Sequence, residues 1–152
     1  LELVEDVPDL ARVVVAVGGG GLISGVASGV KGLLPEVELI GVQSDGYALW
    51  KRAFEEGGAV SLKPETIADG TTAPFDRRMF ELVKECVDTW LLVPEPRLKA
   101  AIPEIASAGK VVAEGAGALA YAALEQLPPG PPTVAVVSGG NIDPALLASL
   151  LS

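Results

Sequence analysis

The sequence predicts an α/β fold with a mostly parallel sheet and helices on both faces. Three observations predict it. Short β-branched runs alternate with segments of helical period along the whole chain. Two of the strand-like runs end in glycine clusters, which would open onto the same carboxyl edge, where ligands bind in such folds. The length, 152 residues, suits one domain with one buried core, and no internal repeat or low-complexity tract divides it.

The elements follow in order. Val13 to Val17 reads as a buried strand running into glycines. Leu22 to Leu34 has helical spacing and stops at Pro35. Val37 to Val42 is a second strand. Asp45 to Glu56 reads as one helix, ended by Gly57-Gly58. Ser61 to Pro74 is a polar loop carrying Ala68-Asp69-Gly70, and Phe75 to Cys86 is a helix. Asp88 to Val93 contains a third strand, Trp90 to Val93. Pro96 to Ser107 is helical, but Pro103 inside it removes a hydrogen bond and predicts a kink or a shortened helix. Gly115 to Gln126 is an Ala-rich helix, and Pro128 to Pro132 is a turn. Thr133 to Val137 is a fourth strand, ending at Ser138-Gly139-Gly140-Asn141. Asp143 caps a last short helix with Pro144 at its first position.

Composition excludes several classes. Hydrophobic residues make up 49% and charged residues 20%, which excludes a disordered chain. Eleven basic against 20 acidic residues give a net charge of −9, opposite to what nucleic acid or an anionic membrane attracts. There is no histidine, so no His-based triad, zinc site or proton shuttle lies in these residues. The single cysteine, Cys86, excludes an internal disulfide; with no His nearby it reads as a small core residue. Trp50 and Trp90 read as core or interface. No apolar stretch reaches membrane-spanning length, and the acidic start, Leu1 to Asp6, lacks the pattern of a signal peptide, so a cytoplasmic location is expected. The chain opens on Leu1 rather than Met, which reads as a fragment or a processed product.

Chemistry concentrates at the glycine clusters. Gly18-Gly19-Gly20-Gly21 lies between a strand and a helix and holds no Lys or Arg. Consecutive bare amides at a helix N-terminus cradle a phosphate, aided by the helix dipole; the alternative is a tight turn without a ligand. The dinucleotide pattern G-x-G-x-x-G fails, since its third glycine would fall on Ile23 or Ser24. The P-loop pattern fails because Val26, not Lys, follows Gly25. A compact phosphate monoester is favoured over a pyrophosphate. Ser138 closes the last strand with a hydroxyl able to make a hydrogen bond, or belongs to a Gly-rich turn. Glu114-Gly115-Ala116-Gly117-Ala118 opens a helix with small residues; on physics alone a tight helix–sheet contact is favoured there.

The combination is more specific than its parts. Val17 to Gly25, with its four glycines, resembles the tetraglycine phosphate loop of fold-type II pyridoxal-phosphate enzymes. Ile67-Ala68-Asp69-Gly70, Lys110 to Ala118, and Val137-Ser138-Gly139-Gly140-Asn141-Ile142-Asp143 follow in that family's order. Together with Gly41-Val42-Gln43-Ser44, they resemble the threonine/serine dehydratase (threonine ammonia-lyase) group, with serine racemase a near relative. The resemblance implies pyridoxal 5'-phosphate as cofactor. It implies that Gly18, Gly19, Gly20, Gly21 and the Leu22 amide hold the phosphate, that Ser138 bonds the pyridine nitrogen, and that Gly70 and Glu114 line the ring. A serine there makes the ring a weaker electron sink than an aspartate would, which suits elimination of a β-hydroxyl.

The departures from the family pattern set further expectations. The family's Schiff-base lysine lies in a Ser-x-Lys-x-Arg-like motif far upstream of the glycine loop. This chain has no such motif, and Lys31, Lys51, Lys63, Lys84, Lys99 and Lys110 stand in unrelated contexts. The substrate-carboxylate loop and the smaller domain have no counterpart either. Residues 1–152 are therefore expected to form a single α/β cofactor-binding domain, the large-domain portion of such an enzyme. No catalytic residue is assigned within it. Racemase-like members carry a divalent-cation site beginning with a Glu where Gln43 stands here, and Leu49 occupies a later Asp position, so no metal site is expected.

The implied reaction of the whole enzyme converts threonine or serine into a 2-oxo acid and ammonia. The chain alone is expected to be inactive, and to need the missing N-terminal portion or a partner chain. A homo-oligomer is expected from an exposed half-domain edge. The alternatives are serine racemase or another fold-type II lyase, a non-catalytic phosphate-binding or interaction module, and a Rossmann nucleotide binder weakened by the failed fingerprint.

Overall fold

Val13, Val14 and Val15 have no solvent exposure, and that dictates the layering. Consecutive strand residues point to opposite faces, so a run buried at every position must be covered on both. The structure, a computed structural model, describes residues 1–152. Its strands β1 (Arg12–Ala16), β2 (Glu38–Ser44), β3 (Thr89–Val93) and β4 (Thr133–Ala135) form one sheet in the order β3-β2-β1-β4. Every pair is parallel, with Val13 opposite Leu39 and Val134, and Val42 opposite Leu91. The expected α/β fold is therefore present.

Alternate residues sort into two cores. Val13, Val15, Val17 and Leu39 pack against α2 (Gly21–Lys31), α3 (Leu49–Glu56) and α4 (Arg77–Cys86). Val14, Ala16, Ile40 and Val42 pack against α5 (Glu95–Gly109) and α6 (Gly115–Ala123), with Leu147 and Leu150 of α7 (Pro144–Leu151) partly buried beside them. A short α1 (Glu2–Asp6) precedes the sheet and buries none of its residues. Trp50 sits among Phe75 and Phe80, at ring-centroid distances of 5.8 and 6.3 Å, and anchors the first core. Cys86 is buried in the same core, as its neighbours predicted. No helix is long and apolar enough to cross a membrane.

Several elements differ from the sequence expectation. α5 runs unbroken for 15 residues through Pro103. Pro103 is half-buried, and Lys99, whose carbonyl loses its partner, is exposed, so water can take over that bond. The expected helix Asp45 to Glu56 is split at Ala48 into a 3-10 turn, Asp45–Tyr47, and α3. The split follows from Ser44, whose hydroxyl accepts from the Gly46 amide and closes a separate turn. α4 starts at Arg77 because Asp76 caps it, accepting from the Met79 amide at 2.9 Å. The regular part of β4 ends at Ala135, two residues early, although the Val136 amide still donates to the Val14 carbonyl. At α7, Asp143 accepts from Ala145 and Leu146, as its position before Pro144 predicted.

α6 explains its small residues. A Cβ on Gly115 would stand 2.3 Å from the Ile67 carbonyl oxygen, and one on Gly117 would stand 2.2 Å from that of Gly139. Two loops thus lie directly on the helix backbone. Both loops lead to the carboxyl edge of the sheet.

Candidate cofactor-binding site

In a parallel sheet every carboxyl end reaches the same edge. β1 has its sequence neighbour β2 on one side and the much later β4 on the other. A crevice opens outside the carboxyl ends where strand order reverses in this way. The structure has a cavity there of about 180 Å3. Gly18, Gly19, Gly20, Gly21 and Leu22 after β1 border it, with Ser138 after β4, Gly70 from the long loop and Glu114 before α6. These eight residues are the ones singled out from the sequence. Ala16, Thr71 and Ala116 complete the lining; of these only Ala116 falls in a segment the sequence marks for chemistry, the small-residue run at 114–118, and none is a predicted site residue.

The glycine loop borders this crevice and is anchored by its carbonyls. The Val17 carbonyl accepts from the Gln43 carboxamide at 3.2 Å, and that of Gly18 from the Trp50 indole. The Gly20 carbonyl accepts from the Ser24 amide and hydroxyl at 3.1 and 2.8 Å. Gln43, fully buried, also accepts from the Trp50 and Lys51 amides, so it joins the end of β1 to the start of α3. By contrast, the amides of Gly18, Gly19, Gly20, Gly21, Leu22 and Ile23 donate to no protein acceptor. α2 has no side-chain cap, whereas α4 and α7 each have an Asp. Six consecutive donors without acceptors, at the positive end of an 11-residue helix, form an anion cradle.

The four glycines have different reasons. A Cβ on Gly18 would meet Thr71 Cα at 2.9 Å, and one on Gly20 would meet Val83 Cγ2 at 2.7 Å with φ at +89°. These two are required by the protein's own packing. A Cβ on Gly19 would meet only Ala73, at 3.7 Å, and one on Gly21 would meet nothing within 4 Å. Nothing in the protein explains bare backbone at those two, and close approach of a ligand does. The residues therefore fit a group with a compact anionic end.

The opposite wall is built by hydrogen bonds. The Glu114 amide donates to the Gly139 carbonyl at 2.9 Å, and its carboxylate accepts from the Asn141 amide at 3.0 Å. A Cβ on Gly139 would stand 2.4 Å from Glu114 Oε1. Glu114 thus fixes the stretch that carries Ser138, itself exposed at the cavity. The small residues of the 114–118 segment serve close packing, but Gly115 and Gly117 meet the loops at Ile67 and Gly139 rather than the sheet, and Glu114 borders the cavity. Gly70 lies in the 3-10 turn Asp69–Thr71, where the buried Thr71 hydroxyl donates to the Ala68 carbonyl at 2.7 Å. The cavity has one carboxylate and no cationic side chain; none of the six lysines borders it. Away from it, Arg97 is raised above its ordinary pKa. Burial opposes the charge there, but the hydrogen bond and charge of Glu104, with the charge of Glu125, outweigh it.

The sequence profile of the family described as pyridoxal-phosphate dependent enzyme matches residues 1–139. The chain belongs to this family. Among characterised members, the L-threonine ammonia-lyase of Thermotoga maritima is 44% identical over 158 residues, an alignment covering 100% of this chain and 39% of that protein. The processed form of threonine deaminase isoform 2 from Solanum lycopersicum superposes with a TM-score of 0.86 at 31% identity, over 98% of this chain and 46% of that one. Maize serine racemase superposes with a TM-score of 0.88 at 29% identity, over 97% and 48%. The chain thus spans about half or less of the length of these pyridoxal-phosphate relatives. It is threonine dehydratase-like over the part of those proteins it matches, and the family's dependence on pyridoxal phosphate agrees with the cofactor implied by the resemblance of its motifs.

Proposed function

We propose that this chain is the cofactor-binding part of a pyridoxal-phosphate-dependent threonine/serine dehydratase. The observation that carries the proposal is the row of six acceptor-free amides at Gly18 to Ile23. The amides of Gly18 to Gly21 and Leu22 bind the cofactor phosphate. Ser138 offers its hydroxyl to the pyridine nitrogen, and Gly70 and Glu114 line the ring. Glu114, held by Asn141, keeps Ser138 and the far wall in register with the glycine loop. When bound, the cofactor supplies an electron sink for the bonds at the amino acid's α-carbon.

The whole enzyme eliminates the β-hydroxyl of threonine or serine, giving a 2-oxo acid and ammonia. The lysine that such chemistry needs comes from outside residues 1–152, since no lysine borders the cavity. Alone, the chain binds cofactor and does not turn over. Its partner is the remainder of the enzyme or a second chain carrying that lysine. The half-buried, three-residue β4, unpaired along one side, is a suitable edge for that partner or for a second copy in a homo-oligomer. Racemisation of serine is the second reading, supported by the fold likeness to the maize enzyme.

The test has two arms. Titration of the chain with pyridoxal phosphate and with pyridoxal is expected to show binding that depends on the phosphate. Equal affinity for both overturns the cradle. Borohydride reduction of the protein from its source, with peptide mapping, is expected to place a pyridoxyl-lysine on a longer or separate chain. No adduct anywhere, with cofactor supplied, favours a non-catalytic binding module. In the complete enzyme, 2-oxo acid from threonine supports the dehydratase, and D-serine from L-serine the racemase.

A further inference from the structure

A side wall of the cavity, beside the glycine loop, comes from a long stretch without regular structure apart from one 3-10 turn, residues 57–76. Gly70 and Thr71 within it border the cavity and press on Gly18. Something must hold that stretch, because it has few backbone partners outside itself. The Glu65 amide donates to the Gly46 carbonyl at 3.0 Å. Side chains from elsewhere hold it at two points, and these bracket Gly70 and Thr71. The Tyr47 hydroxyl donates to the Ala73 carbonyl at 3.2 Å. On the other side, Glu95 Oε2 accepts from the Ile67 amide at 3.0 Å.

Glu95 does more than cap one amide. Its Oε1 accepts from the Ser44 hydroxyl at 2.5 Å. The same hydroxyl accepts from the Gly46 amide at 2.9 Å, and Gly46 is the residue that receives Glu65. One carboxylate therefore ties the end of β2, the start of α5 and the root of the cavity wall into a single chain of bonds. Ser44 is fully buried, so this chain starts from the rigid sheet. Ile67 is also seated against Gly115 at the start of α6, and Gly70, three residues on, lies against Glu114 and Ala116.

We propose that Glu95 is a positioning residue of the site: it sets the distance between the Gly70–Thr71 wall and the glycine loop without touching the bound group. Its effect on cofactor affinity rests on the function proposed above, while its effect on the wall does not. The test uses hydrogen exchange on the unliganded chain beside pyridoxal phosphate titration. In Glu95→Ala, exchange of peptides covering 66–73 is expected to rise roughly tenfold or more, the scale of a lost bond to a charged acceptor, with other segments unchanged. Cofactor affinity is expected to fall by about the same factor. Glu95→Gln keeps an oxygen for the Ile67 amide and is expected to restore both to within about threefold of the original. Should Glu95→Ala not fold, Ser44→Ala gives the readout, with exchange over 66–73 raised by about threefold. Exchange that is unchanged at 66–73, or raised evenly along the chain, overturns the proposal. So does unaltered affinity in a Glu95→Ala variant whose parent binds cofactor. A parent that binds no cofactor refutes the cofactor-binding proposal, and the exchange result still decides the role of Glu95 in the wall.

Discussion

Replacing Gly20 and Gly21 by alanine should have opposite consequences, although the two are adjacent. At Gly20, φ is +89°, and a Cβ would stand 2.7 Å from Val83 Cγ2 and 3.0 Å from Met79 Cε. A left-handed backbone costs a non-glycine residue about 1–2 kcal/mol. Met79 is half-buried and can yield, but Val83 is fully buried, so overpacking adds about 1–3 kcal/mol. Gly20→Ala should therefore lose roughly 2–5 kcal/mol, a large share of the roughly 5–15 kcal/mol that holds a domain together. At Gly21 the Cβ meets nothing within 4 Å, and the residue opens α2. Gly21→Ala should leave stability unchanged or raise it by about 0.4–1 kcal/mol. Its cost falls on binding, because the methyl group sits beside the acceptor-free amides; affinity for pyridoxal phosphate should drop about tenfold, near 1.4 kcal/mol. Urea unfolding, with midpoint and slope fitted separately, measures the first pair of effects, and a cofactor titration the second. A stable Gly20→Ala would refute the packing argument. A Gly21→Ala that binds as tightly as the parent would refute the cradle.

Other predictions follow from single contacts. Trp50→Phe removes the indole donor to the Gly18 carbonyl while keeping a large ring; stability should fall by about 1 kcal/mol or more and cofactor affinity should weaken, read by urea midpoint and titration. Leu119→Ala, at a fully buried position of α6, should cost about 2–5 kcal/mol and leave a soluble, less stable chain. Ser138→Ala, at an exposed position, should change stability by less than about 0.5 kcal/mol yet shift the absorbance of bound cofactor, which a spectrum in the near ultraviolet checks. The pure chain should release no ammonia from threonine with cofactor present; measurable release would place a catalytic base within residues 1–152.

What could be read from the sequence was local. Strand runs such as Val13 to Val17 and the glycine clusters after them carry strong short-range signals, and parallel topology then brings Gly18 to Leu22 and Ser138 to one edge. Gly70 and Glu114 were placed by their motifs, and the structure brings them to the same cavity. The supports behind them were not legible. Trp50 reads as any core tryptophan, and its indole bond to Gly18 spans 32 residues. Gln43 stands out in the sequence as part of the Gly41-Val42-Gln43-Ser44 motif and as the residue at a metal-ligand position in relatives, neither of which shows that its carboxamide joins β1 to α3. The bond from the Ile67 amide to Glu95 crosses 28 residues and leaves no periodicity or spacing in either segment. Pro103 leaves its helix unshortened for a related reason: whether a proline shortens a helix depends on whether water can reach the carbonyl it orphans, which is a tertiary fact.

The most direct measurement is the amide spectrum of the isotopically labelled chain during titration with pyridoxal phosphate. The account predicts that the resonances of Gly18, Gly19, Gly20, Gly21, Leu22 and Ile23 shift first and furthest, that Gly70 and Ser138 follow, and that inorganic phosphate moves the first group alone. Saturable binding that leaves the Gly18 to Ile23 amides unmoved would contradict it.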